Sequence, residues 1–211
     1  MRGWPSPCLV LVTDRARLRG RRLEDVAARA VEGGVNVVQL RETDLPGRDL
    51  LDLAVSLRAA IGDRATLLVN DRADVALAAR ADGVHLPERG LPVAAVRDVV
   101  GEGCLIGRSV HSVEAAVRGE QEGADFVQAG TIFETASKPG APAAGLALVR
   151  DVVGAVSIPV LAIGGITADN ACEVIEAGAG GVAVIGAIMD ADDPLRAARV
   201  LRRAIDTARA E

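Results

Sequence analysis

One local pattern recurs along the chain, in which a helix-like segment ends in small residues and a strand-like segment follows directly. It occurs at Glu32–Asn36, Arg80–Val84, Glu122–Phe126 and Glu176–Gly180. Glycine at such a junction adopts the left-handed backbone conformation that ends a helix at little cost. The repetition therefore indicates a fold built from successive strand–helix units.

The hydrophobic pattern contains eight such units. Short apolar runs predict strands at Cys8–Val12, Val35–Gln39, Thr66–Val69, Gly83–His85, Leu105–Ile106, Asp125–Gln128, Pro159–Ile163 and Gly181–Ile185. Amphipathic segments predict helices at Leu23–Glu32, Arg48–Ala60, Ala73–Ala79, Val93–Val99, Val113–Gln121, Leu146–Val153, Ala168–Ala177 and Pro194–Ala208. This pattern predicts an α/β protein with the (β/α)8 TIM-barrel fold. A doubly wound open sheet is the alternative, because the order of the strands cannot be read from the sequence.

The composition is that of a folded globular protein. The 211 residues are 50% hydrophobic and 25% charged, which excludes intrinsic disorder and predicts a single domain over residues 1–211. A net charge of −5 argues against binding to nucleic acid or to an anionic membrane. The three cysteines lack metal-ligand spacing and argue against a disulfide framework. Because signal-peptide and membrane-span patterns are also lacking, the sequence predicts a cytoplasmic protein.

Functional side chains of a (β/α)8 barrel lie on the loops that follow the strands. Gln39 and Arg41, two residues apart at the end of the second predicted strand, point in the same direction. The alternative for Arg41 is an ion pair with Glu42 on the rim. Asn70 and Asp71 follow the third strand, where they either bind a metal or diphosphate or cap the next helix.

Two histidines and a serine follow the next two predicted strands. His85 ends the fourth strand, where a buried structural histidine is the alternative to a functional one. Ser109 follows the fifth strand and is expected to face the site. His111 comes at the start of the next helix.

The longest irregular segment, Gly130–Gly145, follows the sixth predicted strand. Long loops in compact barrels are typical of active-site lids or binding loops. This one contains Thr135, Ser137 and Lys138, the only lysine of the chain. Hydroxyl and ammonium groups bind anions, so the loop predicts an anionic ligand. The alternative is a surface loop that binds nothing.

Glycines follow the last two predicted strands. Gly164 and Gly165 come after the seventh strand, and Ile185 and Gly186 come at the end of the eighth. Glycines expose backbone N–H groups, and barrels commonly bind phosphate on these two loops. The paired glycines therefore predict a phosphate site, although each pair alone is also consistent with a simple turn.

Taken together, these segments resemble the thiamine phosphate synthase/TenI superfamily, (β/α)8 barrels of vitamin B1 biosynthesis. The resemblance extends from Leu11 to Pro194 and is specific as a set. It is carried by Gln39–Glu42, Val69–Arg72, Ala81–His85, Ala162–Ile166 and Glu176–Ala179.

The synthase branch of the superfamily couples hydroxymethylpyrimidine diphosphate to a thiazole phosphate. Magnesium binds the diphosphate, pyrophosphate leaves, and the thiazole nitrogen attacks the resulting cation. The resemblance implies that Gln39, Arg41, Asn70 and Asp71 bind the diphosphate and metal. It also implies that Thr135, Ser137 and Lys138 lie near the diphosphate and thiazole, and that Gly165, Ile185 and Gly186 bind the thiazole phosphate.

Two positions depart from the synthase pattern. Thr43 stands where a lysine is usual, and Gly90 stands where a second metal-binding aspartate is usual. The loss of one cation and one carboxylate weakens magnesium binding and the stabilisation of departing pyrophosphate. Asp44 and Glu88 are the neighbouring carboxylates that offer compensation.

Other segments are more similar to TenI, the thiazole tautomerase branch: Leu86–Pro87, Ile106–Ser112 and Ile132–Thr135. A tautomerase needs a phosphate site and a proton carrier but no metal. The proton-shuttling histidine of that branch falls on Thr131, which is a poor base. The proton carrier is then expected among Glu134, His111 and His85.

The sequence therefore predicts a TenI-like thiazole tautomerase without a cofactor. A Mg2+-dependent thiamine phosphate synthase is the alternative, and a non-catalytic regulatory protein that binds thiazole phosphate is the third hypothesis. Another phosphate-binding barrel, such as a sugar-phosphate isomerase, is more distant. The resemblance also implies a homodimer. The candidate catalytic residues are Lys138, Glu134 and His111, the candidate metal ligand is Asp71, and the candidate substrate-binding residues are Gln39, Arg41, Asn70, Ser109, Thr131, Thr135, Ser137, Gly164, Gly165, Ile185 and Gly186.

Overall fold

The computed structural model describes residues 4–135, 140 and 142–210. Its strands are β1 (Cys8–Val12), β2 (Val37–Leu40), β3 (Thr66–Asn70), β4 (Gly83–Leu86), β5 (Leu105–Val110), β6 (Phe126–Gly130), β7 (Val160–Ile163) and β8 (Gly181–Val184). Its helices are α1 (Leu23–Glu32), α2 (Gly47–Ile61), α3 (Ala73–Ala78), α4 (Val93–Val100), α5 (Val113–Gln121), α6 (Gly145–Ala155), α7 (Ala171–Glu176), α8 (Gly186–Met189) and α9 (Pro194–Ala210). The strands form a closed parallel barrel in sequence order, with β8 paired to β1. The predicted (β/α)8 fold is confirmed.

The end of β5 and the presence of α8 are among the differences from the sequence prediction. The prediction ended β5 at Ile106, but the strand continues because Arg108 pairs with Leu86 of β4 and Ser109 pairs with Gln128 of β6. Ser109 therefore lies within the barrel wall and not on a loop. The short helix α8 was not predicted, because four residues are too few to show a helical period.

The start of α7 also lies later than predicted, at Ala171 instead of Ala168. The side chain of Asn170 explains the delay. Its Oδ1 accepts a hydrogen bond of 2.8 Å from the backbone N–H of Thr167, and its Nδ2 donates one of 3.1 Å to the carbonyl of Gly165. These bonds close a turn before the helix begins and fix the loop after β7.

The interior of the barrel is filled by apolar side chains from alternate strand positions. Val10, Leu68 and Leu161 pack there around Phe126, and the ring of Trp4 stacks on Phe126 with centroids 4.2 Å apart. Gly107 makes room for this ring, since a Cβ at that position would lie only 2.1 Å from Cζ of Phe126. The aromatic pair therefore fills the lower barrel, and polar side chains occupy the interior above it.

A second, larger apolar core lies between the outer faces of the strands and the surrounding helices. It fixes the positions of the strands, and thereby those of the loops at their carboxyl ends. Among the described residues, the helices all fall short of the length and apolar character that crossing a membrane requires.

Candidate functional site

Two adjoining cavities lie at the carboxyl ends of the strands, each about 310 Å³ in volume. The central cavity is lined by residues in or directly after all eight strands, including Gln39, Arg41, Asn70, Asp71, Ser109, His111 and Gln128. The cradle cavity lies beside it, and its lining includes Thr131, Glu134, Thr135, Gly164, Gly165, Ile185 and Gly186. Ile163 and Ile185 line both cavities, so a ligand in one lies next to a ligand in the other.

The glycine pair after β7 is required by the packing of a neighbouring loop. Gly164 and Gly165 have φ angles of +108° and +64°. A Cβ on Gly165 would lie 2.4 Å from the carbonyl oxygen of Glu134, and one on Gly164 would lie 2.6 Å from Cγ2 of Thr131. The N–H of Phe133 also donates a 3.0 Å hydrogen bond to the carbonyl of Gly164. The loops after β6 and β7 are therefore in backbone contact, which sets the shape of the cradle cavity.

The loop after β8 forms the other side of the cradle cavity. Gly186 begins α8, and the first N–H groups of a helix have no partner within it. A Cβ on Gly186 would lie 2.8 Å from Oδ2 of Asp190, so a side chain there would press on the carboxylate that holds Arg17. Together, the glycines on both loops leave backbone groups accessible to a phosphate.

Arg17 is a cationic residue of the cradle cavity that the sequence analysis missed. It lies on the turn after β1 and lines the cavity. Its guanidinium donates hydrogen bonds of 2.6 Å to Asp190 and 3.0 Å to Asp14. These carboxylates hold the guanidinium at the edge of the cavity. Nothing in the sequence distinguishes this arginine from the many others in the chain.

Gln39 and Asn70 form a polar pair in the central cavity. Gln39 is 2% exposed, and its Nε2 donates a 3.2 Å hydrogen bond to Oδ1 of Asn70. Its Oε1 is buried and has no hydrogen-bond partner among the described residues. The two side chains predicted from neighbouring strand ends therefore do meet, and they leave one buried acceptor unpaired.

His85 is a buried residue of β4 that pairs with Asn70 of β3. Its Nε2 and Oγ of Ser109 are 2.8 Å apart and share a hydrogen bond. Complete burial, together with the smaller effect of the nearby charges of Arg108 and Arg41, lowers the pKa of His85 to about 3. The imidazole is therefore neutral near pH 7, and it is poorly suited to carry a proton there.

The position of Arg41 is fixed through a buried carboxylate. The backbone N–H of Arg41 donates a 2.9 Å hydrogen bond to Oγ1 of Thr13, whose hydroxyl donates one of 2.7 Å to Glu42. Glu42 is 6% exposed and also accepts a hydrogen bond from the N–H of Arg15. The Glu42 carboxylate thus belongs to the support of the site, and the simple rim pair with Arg41 is not what the structure contains.

Asp71 lines the central cavity, and its carboxylate suits a metal ion whose other ligands come mainly from a bound substrate. Its φ of +61° places it in the left-handed region, which aspartate tolerates. A Cβ on Gly90 would lie 3.1 Å from Oδ1 of Asp71, so the missing second carboxylate would have stood beside it. The described residues contain no group of three or more His, Cys, Asp or Glu side chains that could hold a metal ion. Magnesium often takes one protein carboxylate and completes its shell with phosphate and water, and Asp71 fits that role.

The candidate proton carriers lie in different cavities. His111 lines the central cavity, and its Nδ1 is hydrogen-bonded to Glu88. Glu134 lines the cradle cavity, where its side chain is exposed. Thr131 is buried against Gly164 and also lines the cradle cavity. Ser137 and Lys138 lie outside the described residues.

Comparisons with known proteins identify the family. The family model described as thiamine monophosphate synthase matches residues 9–188. The thiamine-phosphate synthase of Methanoculleus marisnigri is 52% identical over 205 residues, covering 96% of this chain and 97% of that protein. That of Haloquadratum walsbyi is 44% identical over 205 residues, covering 95% and 92%.

Solved structures agree with these relatives. A thiamine phosphate pyrophosphorylase from Pyrococcus furiosus superposes with a TM-score of 0.87 at 38% identity, covering 95% of this chain and 96% of that one. A 3-hexulose-6-phosphate synthase superposes with a TM-score of 0.72 at 23% identity, which reflects the shared fold alone. The superfamily predicted from the sequence is confirmed, and the names of the relatives are those of synthases and not of tautomerases. The chain belongs to the thiamine monophosphate synthase family.

Proposed function

We propose that this protein is a thiamine-phosphate synthase that couples hydroxymethylpyrimidine diphosphate to a thiazole phosphate and releases pyrophosphate. The observation that carries the proposal is the pair of equal cavities that share Ile163 and Ile185. A tautomerase has one small substrate, whereas a coupling enzyme must hold two side by side. The names of the relatives also favour the synthase over the tautomerase expected from the sequence.

The two cavities differ in the chemistry that they offer. In the cradle cavity, the backbone N–H groups near Gly165 and Gly186 suit the thiazole phosphate, and Arg17 adds a positive charge. In the central cavity, the guanidinium of Arg41 suits the diphosphate, and Asp71 suits a metal ion that the diphosphate would share. The thiazole nitrogen then approaches the pyrimidine methylene carbon across the boundary between the cavities, while pyrophosphate departs on the Arg41 side.

The reaction breaks the bond between the methylene carbon and the diphosphate oxygen, and forms a bond from that carbon to the thiazole nitrogen. Arg41 stabilises the negative charge that develops on the departing pyrophosphate. Holding both reactants in adjoining cavities replaces a collision in solution by a positioned attack. His85, which pairs with Asn70 in the barrel wall, is neutral near pH 7 and adds no positive charge near the pyrimidine cation.

Asp71 is the residue that would hold a magnesium ion. When bound, the ion neutralises charge on the diphosphate and favours its departure. Because Thr43 and Gly90 replace the lysine and the aspartate of the synthase pattern, we expect the loop that carries Ser137 and Lys138 to provide further groups that bind the pyrophosphate. The homodimer and the cytoplasmic location also stay predictions.

A tautomerase is the second candidate function, and the position of Glu134 favours it. The Glu134 side chain is the carboxylate of the loop after β6 that lines the cradle cavity, beside the expected thiazole. Such a carboxylate suits the proton transfer that a tautomerase performs without metal.

A coupling assay tests the proposal. Purified protein is mixed with pyrimidine diphosphate, thiazole phosphate and Mg2+, and thiamine phosphate is followed directly. We expect turnover that EDTA abolishes and that Asp71→Ala lowers at least a hundredfold. Asp74→Ala is the matched control, because Asp74 is an exposed aspartate that pairs with Arg72 instead of lining a cavity. Wild-type protein that binds thiazole phosphate without turnover would refute the synthase; metal-independent proton exchange would then support the tautomerase, and its absence would support the regulatory protein.

A further inference from the structure

Gln128 is a buried amide that the proposed mechanism does not use. It lies in the middle of β6, is 4% exposed and lines the central cavity. Its Oε1 is buried and, within the part of the chain that the structure describes, receives no hydrogen bond. Buried polar side-chain atoms are paired in the large majority of cases, so an unpaired one that lines a cavity indicates a missing donor.

Gln39 is a second residue that lines this cavity and has an unpaired carbonyl oxygen. In the closed barrel, β2 and β6 lie four strands apart in either direction, so Gln39 and Gln128 stand across from each other. Nε2 of Gln39 is already bonded to Asn70, which leaves its Oε1 as an acceptor. The floor of the central cavity, defined by Gln39 and Gln128, therefore presents acceptors that require N–H donors.

The surroundings of this floor are apolar and aromatic. Val12, Ile163 and Ile185 line the cavity beside it, and Phe126 packs in the barrel two residues below Gln128. An isolated water molecule needs two to four polar partners, whereas these side chains favour the flat face of an aromatic ring. The combination of apolar sides and acceptors on the floor selects an amino-substituted aromatic heterocycle.

We propose that Gln128 is a specificity-determining residue whose Oε1 accepts a hydrogen bond from the exocyclic amino group of an aminopyrimidine. The inference rests on the proposed function, since it assigns the central cavity to the pyrimidine substrate. It adds a contact to the ring itself, separate from the groups that bind the diphosphate. A site built to pair with an N–H group rejects the analogue that lacks it, because its own buried acceptor is then left unpaired.

The test compares two substrates in two variants. The substrates are the aminopyrimidine diphosphate and its analogue with hydrogen in place of the amino group. Gln128→Leu removes the acceptor at similar volume, and Gln121→Leu is the matched control on the exposed end of α5. We expect the preference for the amino substrate, as a ratio of kcat/KM values, to fall ten- to a hundredfold in Gln128→Leu and to be unchanged in Gln121→Leu.

Binding measurements separate this inference from the proposed function. Calorimetry with the unphosphorylated aminopyrimidine and its deamino analogue needs no turnover. Suppose that the wild type makes no thiamine phosphate but binds the aminopyrimidine selectively, and that Gln128→Leu lacks this selectivity. The synthase proposal then fails, and the Gln128 contact stands. If Gln128→Leu weakens both ligands equally, or if the wild type binds neither ligand, the inference is refuted. Thermal unfolding of each variant shows whether the barrel is intact.

Discussion

The substitution Gly165→Ala tests whether the cradle cavity depends on its backbone geometry. Gly165 lies in the left-handed region at φ +64°, and a Cβ there would lie 2.4 Å from the carbonyl oxygen of Glu134. The contact is with backbone, so no rotation of a side chain relieves it. The loops after β6 and β7 must separate instead, and the hydrogen bond from Phe133 to Gly164 lies between them.

The expected size of the effect follows from these two costs. Placing alanine in the left-handed region costs about 1–2 kcal/mol. Ordinary contact begins near 3.4 Å, so the loops must move apart by roughly 1 Å, and overpacking of this kind costs about 1–3 kcal/mol. We expect the free energy of unfolding to fall by about 2–5 kcal/mol. A 1 Å displacement in a binding site is also large enough to weaken a ligand by tenfold or more.

Urea unfolding and steady-state kinetics measure the two effects. We expect the KM for thiazole phosphate to rise at least tenfold in Gly165→Ala, with a much smaller change for the pyrimidine diphosphate. Gly154→Ala is the matched control, because Gly154 is helical and its Cβ would meet open space, so stability should rise by about 0.5 kcal/mol. An unchanged KM for thiazole phosphate in a folded Gly165→Ala protein would refute the placement of the phosphate.

Three further predictions concern pH, packing and charge. Burial raises the pKa of Glu42, so the folded protein binds this proton more tightly than the unfolded chain does. The free energy of unfolding should therefore fall as the pH rises from the ordinary carboxyl pKa through the raised one. Urea titrations from pH 4 to 7 measure this slope, and Glu42→Gln should remove it. Gly107→Ala should destabilise the barrel by about 2–3 kcal/mol, and combination with Phe126→Leu should recover at least half, as a double-mutant cycle in urea would measure. Arg17→Met should raise the KM for thiazole phosphate several-fold with little change for the diphosphate; equal changes for both substrates would contradict its place in the cradle cavity.

The barrel and most of the cavity residues could be predicted because they follow from periodicity. Once eight strand–helix units are recognised, parallel strands bring their carboxyl ends to one side, and Gln39, Asn70 and Asp71 must come together there. The glycines after β7 and β8 were found by the same logic. Their detailed cause, the contact with the loop after β6, depends on tertiary packing that no local pattern contains.

Gln128 and Arg17 could not be found by this reasoning, for different physical reasons. Gln128 lies inside a strand, whereas functional side chains of a barrel are expected on its loops. A glutamine in a run of buried apolar residues is the sequence signal that points to it. Arg17 acts from the turn after β1, and its position depends on Asp190, which is 173 residues away in the chain. Contacts of this kind are set by barrel closure and leave no trace in local sequence.

The two cavities are built in different ways, and this difference bears on the departures at Thr43 and Gly90. The cradle cavity is shaped by backbone groups and glycines, so the proposed phosphate site depends on few ionisable side chains, chiefly Arg17. The central cavity instead depends on side chains such as Arg41 and Asp71, and both departures lie on that side. A synthase with this arrangement should therefore bind thiazole phosphate normally while losing rate at the step in which pyrophosphate departs. Gly90→Asp, which places a carboxylate beside Asp71, should lower the Mg2+ concentration needed for half-maximal rate; an unchanged requirement would show that the metal is held elsewhere.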